Sequence, residues 1–389
     1  MNHIFRAVGA VPFSIPYADF KVIASGIQYY QEGGDPYRSR EFDYRGRFYN
    51  YLPFWLHMPF LGLEQEDIKY VYLAFASLFA MGVALVFWKD KTKHWYAYLP
   101  FIYSPPVLLC LEWCNYELIV FFTVVLSIWI CLKITGYLRD GLAGAVMLLA
   151  TCLKLFPVFG FYIFVRHSIK KSLFLLVPFA LLTLLYLIIN KPYIELVREN
   201  APWSPYISFG VPVLPNNIAM AIDKSAVMLP AYLILVAWVL VAVCFIVGYK
   251  LACEGLPDSL IESYEAKLFR GTIAIFIGCY LLGSNFDYRL IFLIPALPFI
   301  FRLLREGTIA KWIPSSFLAL MFVAMWLTEA NLISRDDARI FYPVLYINEI
   351  CCWLLLTFSI YFQFRLLPNF IRKIIYPNSE VLPKTQLAD

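Results

Sequence analysis

The stretch AVMLPAYLILVAWVLVAVCFIVGY, residues 226–249, contains no charged side chain and is followed directly by Lys250. A helix needs about 20 apolar residues to cross roughly 30 Å of hydrocarbon, so this run reads as a membrane span. A second run, LIVFFTVVLSIWICLKI at 118–134, approaches the same length. The whole chain follows suit: of 389 residues, 61% are hydrophobic and 15% charged, at a mean hydropathy of +0.68. Soluble domains carry about one-quarter charged residues. Backbone polar groups find no partners in lipid, which favours helices. The expected fold class is therefore an all-α polytopic membrane protein.

Applied along the chain, the same length criterion places helices near 68–88, 95–111, 118–134, 172–189, 226–249, 269–284, 290–301, 312–330 and 342–364. Residues 142–165 form an apolar run broken by Lys154, Phe156 and Pro157, expected as a hairpin of two short helices with its break buried in protein. The division that follows is an outer segment 1–67, a bundle of about ten to eleven helices over 68–367, and a cytoplasmic tail 368–389. Lys89, Lys91, Lys93, Arg166, Lys170, Lys171, Lys250, Lys267, Arg270, Arg302, Arg305, Lys311, Arg372 and Lys373 all fall on one face, which is cytoplasmic by the positive-inside rule. The net charge of +5 thus reports topology and excludes no nucleic-acid partner by itself, but none is expected. Residues 1–67 need a span to carry them across. It is expected ahead of this chain or, stunted, in residues 4–18 (IFRAVGAVPFSIPYA), where Arg6, Pro12 and Pro16 interrupt the apolar run.

The polar residues gather on the other face. ADFKVIASGIQYYQ (18–31) sets Phe20, Ile23, Ile27 and Tyr30 at helical spacing, with Lys21, Ser25, Gln28 and Gln31 opposite. Such a helix is expected to lie flat in the interface. Asp19 near its start suits an N-cap and equally a site carboxylate. Gly33, Gly34, Asp35, Pro36 and Tyr37 spell a turn, so Asp35 reads as structural. Tyr49, Tyr51 and Pro53 follow; tyrosines at headgroup level are interface anchors or, in the minority reading, sugar contacts.

Further along, EWCNYE (112–117) puts Glu112, Asn115 and Glu117 between two spans, where carboxylates are costly unless paired or functional. Lys154 needs a counter-anion, either a protein carboxylate or a ligand phosphate. Asp287, Tyr288 and Arg289 end a span, with Asp287 and Arg289 able to pair together or Arg289 to grip a phosphate. The loop 190–225, bearing Trp203, Asn216 and Asn217 among prolines, reads as a rigid non-helical cover. Asp336 and Asp337 in SRDDARIF are a cation site or solvated charge. Nine cysteines, mostly within apolar runs, read as free packing residues, with Cys110 and Cys114 near enough to meet. Metal-ligand spacing, phosphate loops and Ser-His-Asp orders do not occur.

In this order and spacing, Asp19-Phe20, Gly34-Asp35-Pro36-Tyr37, the Tyr49/Tyr51/Pro53 run, Asn115 with Glu117, Lys154 with Pro157, and Asp287-Tyr288-Arg289 resemble the membrane-embedded glycosyltransferases of the GT-C class. The likeness is to glycosyltransferase family 87, which contains polyprenyl-phosphate-mannose-dependent mannosyltransferases. It implies a GT-C-like multi-span helical bundle with interfacial amphipathic helices in the first outer loop. It also implies an inverting transfer of one hexose, such as mannose, from a polyprenyl-phosphate donor to a glycan or glycolipid acceptor. Asp19 would be the general base, and Arg289 and Lys154 would bind the donor phosphate. Substrate contacts would come from Asn115, Glu117, Tyr49, Tyr51, Asp287, Tyr288, Asn216, Asn217 and Trp203, and no cofactor or metal is assigned. The expected setting is a bacterial inner membrane, with the site on its periplasmic face. The chain departs from the family pattern where Cys114 replaces a usual Gly, and where a full helix should precede Asp19. A transporter or flippase is the rival reading, since buried charges also mark substrate pathways. A polymerase or ligase of lipid-linked glycans is a third.

Overall fold

The computed structural model describes residues 16–58, 67–89, 95–133, 137–165, 168–201, 207–222, 231–252, 254–334 and 337–376. In chain order its main helices are α1 (Ala18–Gln31), α2 (Ile68–Val86), α3 (Pro105–Glu112), α4 (Glu117–Lys133), α5 (Tyr137–Leu153), α6 (Ile169–Ile189) and α7 (Lys191–Asn200). Then come α8 (Val213–Ile222), α9 (Ala231–Leu251), α10 (Tyr264–Leu282), α11 (Leu297–Glu306), α12 (Trp312–Ser334), α13 (Ala338–Arg365) and α14 (Asn369–Ile375). Among the described residues, α2, α6, α9 and α13 are long and apolar enough to cross a membrane; α3 and α4, which meet at 115°, make a fifth if taken as one broken span. α6 and α9 expose Leu173, Phe174, Leu181, Leu235, Trp238 and Val239. An apolar surface of that extent is a liability in water but matches lipid tails. The protein has the makeup of a helical membrane protein.

Several expected spans are broken, and proline explains each. The run 95–111 divides into single turns at Trp95–Tyr98 and Leu99–Ile102 before α3 begins at Pro105. Pro100, Pro105 and Pro106 each lack an N–H, so they are tolerated only in first turns. The run 290–301 is likewise a 3-10 helix, Asp287–Ala296, that passes into α11 around Pro295 and Pro298. The expected hairpin at 142–165 has one long arm, the 17-residue α5, and a 3-10 arm, Phe156–Phe164. Its break falls at Lys154 and Leu155.

Helix α1 keeps much of the expected division, with Phe20, Ile23 and Ile27 buried, Lys21 half-buried and Gln28 and Gln31 exposed, but Tyr30 is exposed as well. From Ala18 to Ile27 it is buried all round save Lys21, and Ser25 is buried too. Phe20 meets Phe75 of α2 edge-on at 5.6 Å, and the turn Pro53–His57 packs across the helix. The described part of the segment ahead of α2 therefore shares one core with the bundle. Residues 1–15 and 377–389, with most of the expected stunted span and most of the tail, lie outside the described residues.

The described residues of the 190–225 region are mostly helical, not an irregular cover. They include α7, α8 and β1 (Ser208–Phe209), which pairs antiparallel with β2 (Asn285–Phe286). Pro192 and Pro215 occupy early helical positions, where a missing N–H costs least. Asp287 N donates to Ile207 O at 2.9 Å and Val211 N to Tyr280 O at 2.9 Å, so this seam fixes the chain entering Arg289. Gly210 sits at φ 130°, and a Cβ there would run into the Gly283 carbonyl oxygen. Because the obstacle is backbone and the φ is left-handed, Gly210→Ala is expected to cost about 1–3 kcal/mol. A lower thermal unfolding midpoint in detergent checks this, and an unchanged midpoint rules the seam out as a support.

At the opposite end of the bundle, charged helix ends pair with each other: Lys267 with Glu262 at 2.6 Å and Arg302 with Glu265 at 3.1 Å. Asp337 caps α13, its Oδ1 accepting from Arg339 N at 3.0 Å; Asp336 is outside the described residues.

Candidate functional site

Where α1 starts, two helix ends with unused backbone groups meet. Tyr17 N donates to Glu112 O at 2.8 Å and Asp19 N to Trp113 O at 3.2 Å. The first amides of one helix are thus satisfied by the last carbonyls of α3. This stitching holds Asp19 over the bend between α3 and α4. Asp19 does not cap its helix, whose N-cap position is Tyr17 with no side-chain cap bond. Its Oδ2 instead accepts from Asn115 Nδ2 at 2.5 Å. Asn115 Oδ1 in turn accepts from Glu117 N at 2.8 Å. An amide has one accepting and one donating end, so the bond to the α4 backbone turns the NH2 toward Asp19.

Tyr17 (φ 61°) and Cys114 (φ 49°) are the non-glycine residues with left-handed backbone among those described. They lie two residues before Asp19 and one before Asn115. Strained backbone of about 1–3 kcal/mol per residue persists where surrounding structure over-determines it, often at functional sites. Cys110 and Cys114 are both buried free thiols.

A second group lies across the same space. Lys154 Nζ stands 2.5 Å from Glu117 Oε1, and Arg289 Nε stands 3.2 Å from the same oxygen. Arg289 also donates to Asn285 Oδ1, and Lys154 lies over the Tyr116 ring at 4.3 Å. Lys154 thus has a protein carboxylate, and Arg289 pairs with Glu117 rather than with Asp287. Two cations share one anion, so one positive charge is left over. Glu117 is wholly buried behind them.

Both groups face a cavity of about 750 Å³. Asp19, Tyr51, Lys154, Tyr288 and Arg289 line it. Several residues expected to contact substrate are not among the described residues that line it. Tyr49 and Asp287 are buried elsewhere; Glu117 and Asn115 stand behind the wall; Asn216 and Asn217 belong to α8; Trp203 is outside the described residues. Asn217 is buried with both amide atoms unpaired. The Gly34-Asp35-Pro36-Tyr37 turn is structural: Asp35 Oδ1 accepts from Tyr37 N at 3.0 Å, and Tyr37 Oη donates to Tyr51 O at 2.8 Å. The wall residues that sequence reading overlooked are Arg40, Arg45, Arg47 and Arg198. Their signal was present in RSREFDYRGR (38–47), which reads as a charged spacer when its return onto α1 is unknown.

Burial pushes the Asp19 carboxyl up to about 6, against the opposing pull of Arg47, the Asn115 hydrogen bond and Lys154. A carboxylate so placed is a stronger base than one in water and is still ionised at neutral pH. Among the described residues no group of three or more His, Cys, Asp or Glu side chains could hold a metal ion. No family model, curated protein or solved structure matches the chain.

Proposed function

We propose that the chain is an inverting membrane glycosyltransferase that moves one hexose from a polyprenyl-phosphate donor to a hydroxyl of a glycan or lipid-linked acceptor. What supports the reading is a single cavity that presents a buried carboxylate, Asp19, and a cation pair with surplus positive charge, Lys154 and Arg289. Its volume of about 750 Å³ lies within the roughly 300–1,000 Å³ of ligand pockets. Asp19 takes the proton of the acceptor hydroxyl as that oxygen bonds to the anomeric carbon. The bond from that carbon to the phosphate oxygen breaks, its electron pair leaves with the prenyl phosphate, and the configuration inverts. Lys154 and Arg289 stabilise the charge gathering on the departing phosphate. The cation-rich helix ends at the opposite pole support a periplasmic side for the cavity.

Membranes containing the chain, assayed with a panel of prenyl-phosphate hexoses, are expected to yield a product of inverted anomeric configuration. Retention of configuration, or transfer from no member of the panel, overturns the proposal. The pH profile carries a second expectation. The rate should rise with pH as Asp19 ionises, with an acid limb at about pH 6. Asn115 stabilises the charged form through its hydrogen bond, so Asn115→Leu should move that limb upward. A limb that stays in place would show that the titrating group is not Asp19.

A further inference from the structure

The sequence DYRGR (43–47) forms a turn that brings the chain back onto the start of α1. Gly46 supplies the left-handed backbone of the turn, at φ 64°, and its N donates to Asp43 O at 2.8 Å. The buried Asp43 carboxylate accepts from Arg45 N at 3.2 Å and from Arg47 N at 3.0 Å. Its two oxygens also take the Arg47 guanidinium as a fork, Oδ2 from Nε at 3.0 Å and Oδ1 from Nη2 at 3.2 Å. Such a bidentate pair fixes the plane and direction of the cation. Held so, Nη2 also donates to Ala18 O at 3.2 Å, the carbonyl of the peptide group that leads into Asp19. Four residues on, Tyr51 Oη donates to Asp19 O at 3.3 Å. The returning chain thus grips the carbonyl on either side of the Asp19 amide and sets a guanidinium beside the cavity that Asp19 lines.

The groups that face Asp19 are Cys110, Cys114, Tyr116 and Glu117 from the two sides of the α3–α4 bend, Lys154 from the hairpin break, Tyr288 from the 3-10 segment Asp287–Ala296, and Arg47 and Tyr51 from the returning chain. Thiols and phenols are uncharged near pH 6, and Lys154 and Arg289 are tied to Glu117. Burial pushes the Asp19 carboxyl up, and Arg47 opposes it most strongly, ahead of the Asn115 hydrogen bond and Lys154.

Resting on the glycosyltransferase reading, we infer that Arg47 is a positioning residue for Asp19: clamped by Asp43, it fixes the peptide that carries the base and faces that base with a positive charge. The inner cations Lys154 and Arg289 serve the departing phosphate, whereas Arg47 serves the carboxylate.

The test is thermal unfolding of the purified full chain in a neutral detergent at pH 5 and pH 8, beside transfer from a panel of farnesyl-phosphoryl hexoses. Burial holds the folded-state Asp19 carboxyl above its ordinary value, so stability is lost as pH rises, and without Arg47 that loss grows. R47Q should therefore lower the unfolding midpoint more at pH 8 than at pH 5. It also strips Asp43 of its partner, so the comparison is repeated in the Asp19→Asn background, where the extra loss at pH 8 should shrink. R47K keeps the charge without the planar fork; it should lower the midpoint alike at both pH values. In transfer, the acid limb should move upward in R47Q, further than in Asn115→Leu, and stay in place in R47K. R38Q removes an equal charge from an exposed pair with Asp35 and should leave the limb where it is. Equal losses at the two pH values in R47Q, or an extra loss at pH 8 that is undiminished in the Asp19→Asn background, overturn the inference. So does a limb that moves as far in R38Q or R47K as in R47Q. Should R47Q not fold, R47K decides, because an upward limb in that variant shows that the charge is not the agent. The unfolding arm needs no substrate, so failure of every donor in the panel strikes the glycosyltransferase reading and leaves the link between Arg47 and Asp19 to be judged by the midpoints.

Discussion

Asp19→Asn is expected to lower sugar transfer by ~10²–10⁴-fold, the usual contribution of a positioned base, while the protein still inserts and folds. Asparagine is nearly isosteric, and its side-chain oxygen can still accept from Asn115, whose orientation is set independently by the α4 backbone. What is lost is the proton acceptor. The substitution should also raise stability at neutral pH. Burial holds the folded-state carboxyl above its ordinary value, so the folded protein binds the proton more tightly than the unfolded chain. Its stability falls as pH rises from about 4 to about 6. Above that window the wild type bears the cost of a buried charge and the asparagine variant does not. Transfer assays on membranes and unfolding midpoints at pH 5 and pH 8 check both halves. Wild-type turnover by the variant would sink the assignment of Asp19.

Glu117→Gln is expected to have the largest effect on stability. Its carboxylate neutralises Lys154 and Arg289 together through one oxygen. Removing the charge leaves two buried cations uncompensated, a loss of about 3–5 kcal/mol. Glu117→Gln combined with Lys154→Met should recover part of that loss, because one cation is gone as well. The coupling between the two substitutions should lie in the range of about 0.5–3 kcal/mol found for residues in one network. Thermal unfolding of the four proteins in detergent gives the cycle directly. If Glu117→Gln unfolds at the wild-type midpoint, the carboxylate is not the pivot of the pair.

The long apolar helices were legible because lipid imposes a length and a composition that survive any detail of packing. Four spans and the break at Lys154 could be read this way. Helix α1 is more enclosed, at Ser25 above all, than its spacing suggests, for a physical reason. Its amphipathic spacing is local, whereas its burial depends on Tyr49–Leu52 and Pro53–His57 folding back over it. The site divides similarly. Asp19, Lys154 and Arg289 stood out as charges in apolar surroundings, which bear a cost that needs a partner. That Glu117 is the shared partner, and stands behind the cavity wall, depends on the 115° bend between α3 and α4. Arg40 and Arg45 passed unnoticed because a run of charge near a glycine ordinarily marks a solvated loop, and both do stay exposed while bordering the cavity.

The stitching of α1 to the carbonyl ends of α3 has a consequence in time. Asp19 meets an asparagine 96 residues downstream, and chains emerge N-terminus first at about 5–20 residues per second. The proposed base is therefore made several seconds before the groups that orient it. A shortened translation product ending before Asn115 would lack the donor that orients Asp19. On the proposed function, activity would require that α3 and α4 have already met at their 115° bend, which would make it a readout of completed assembly.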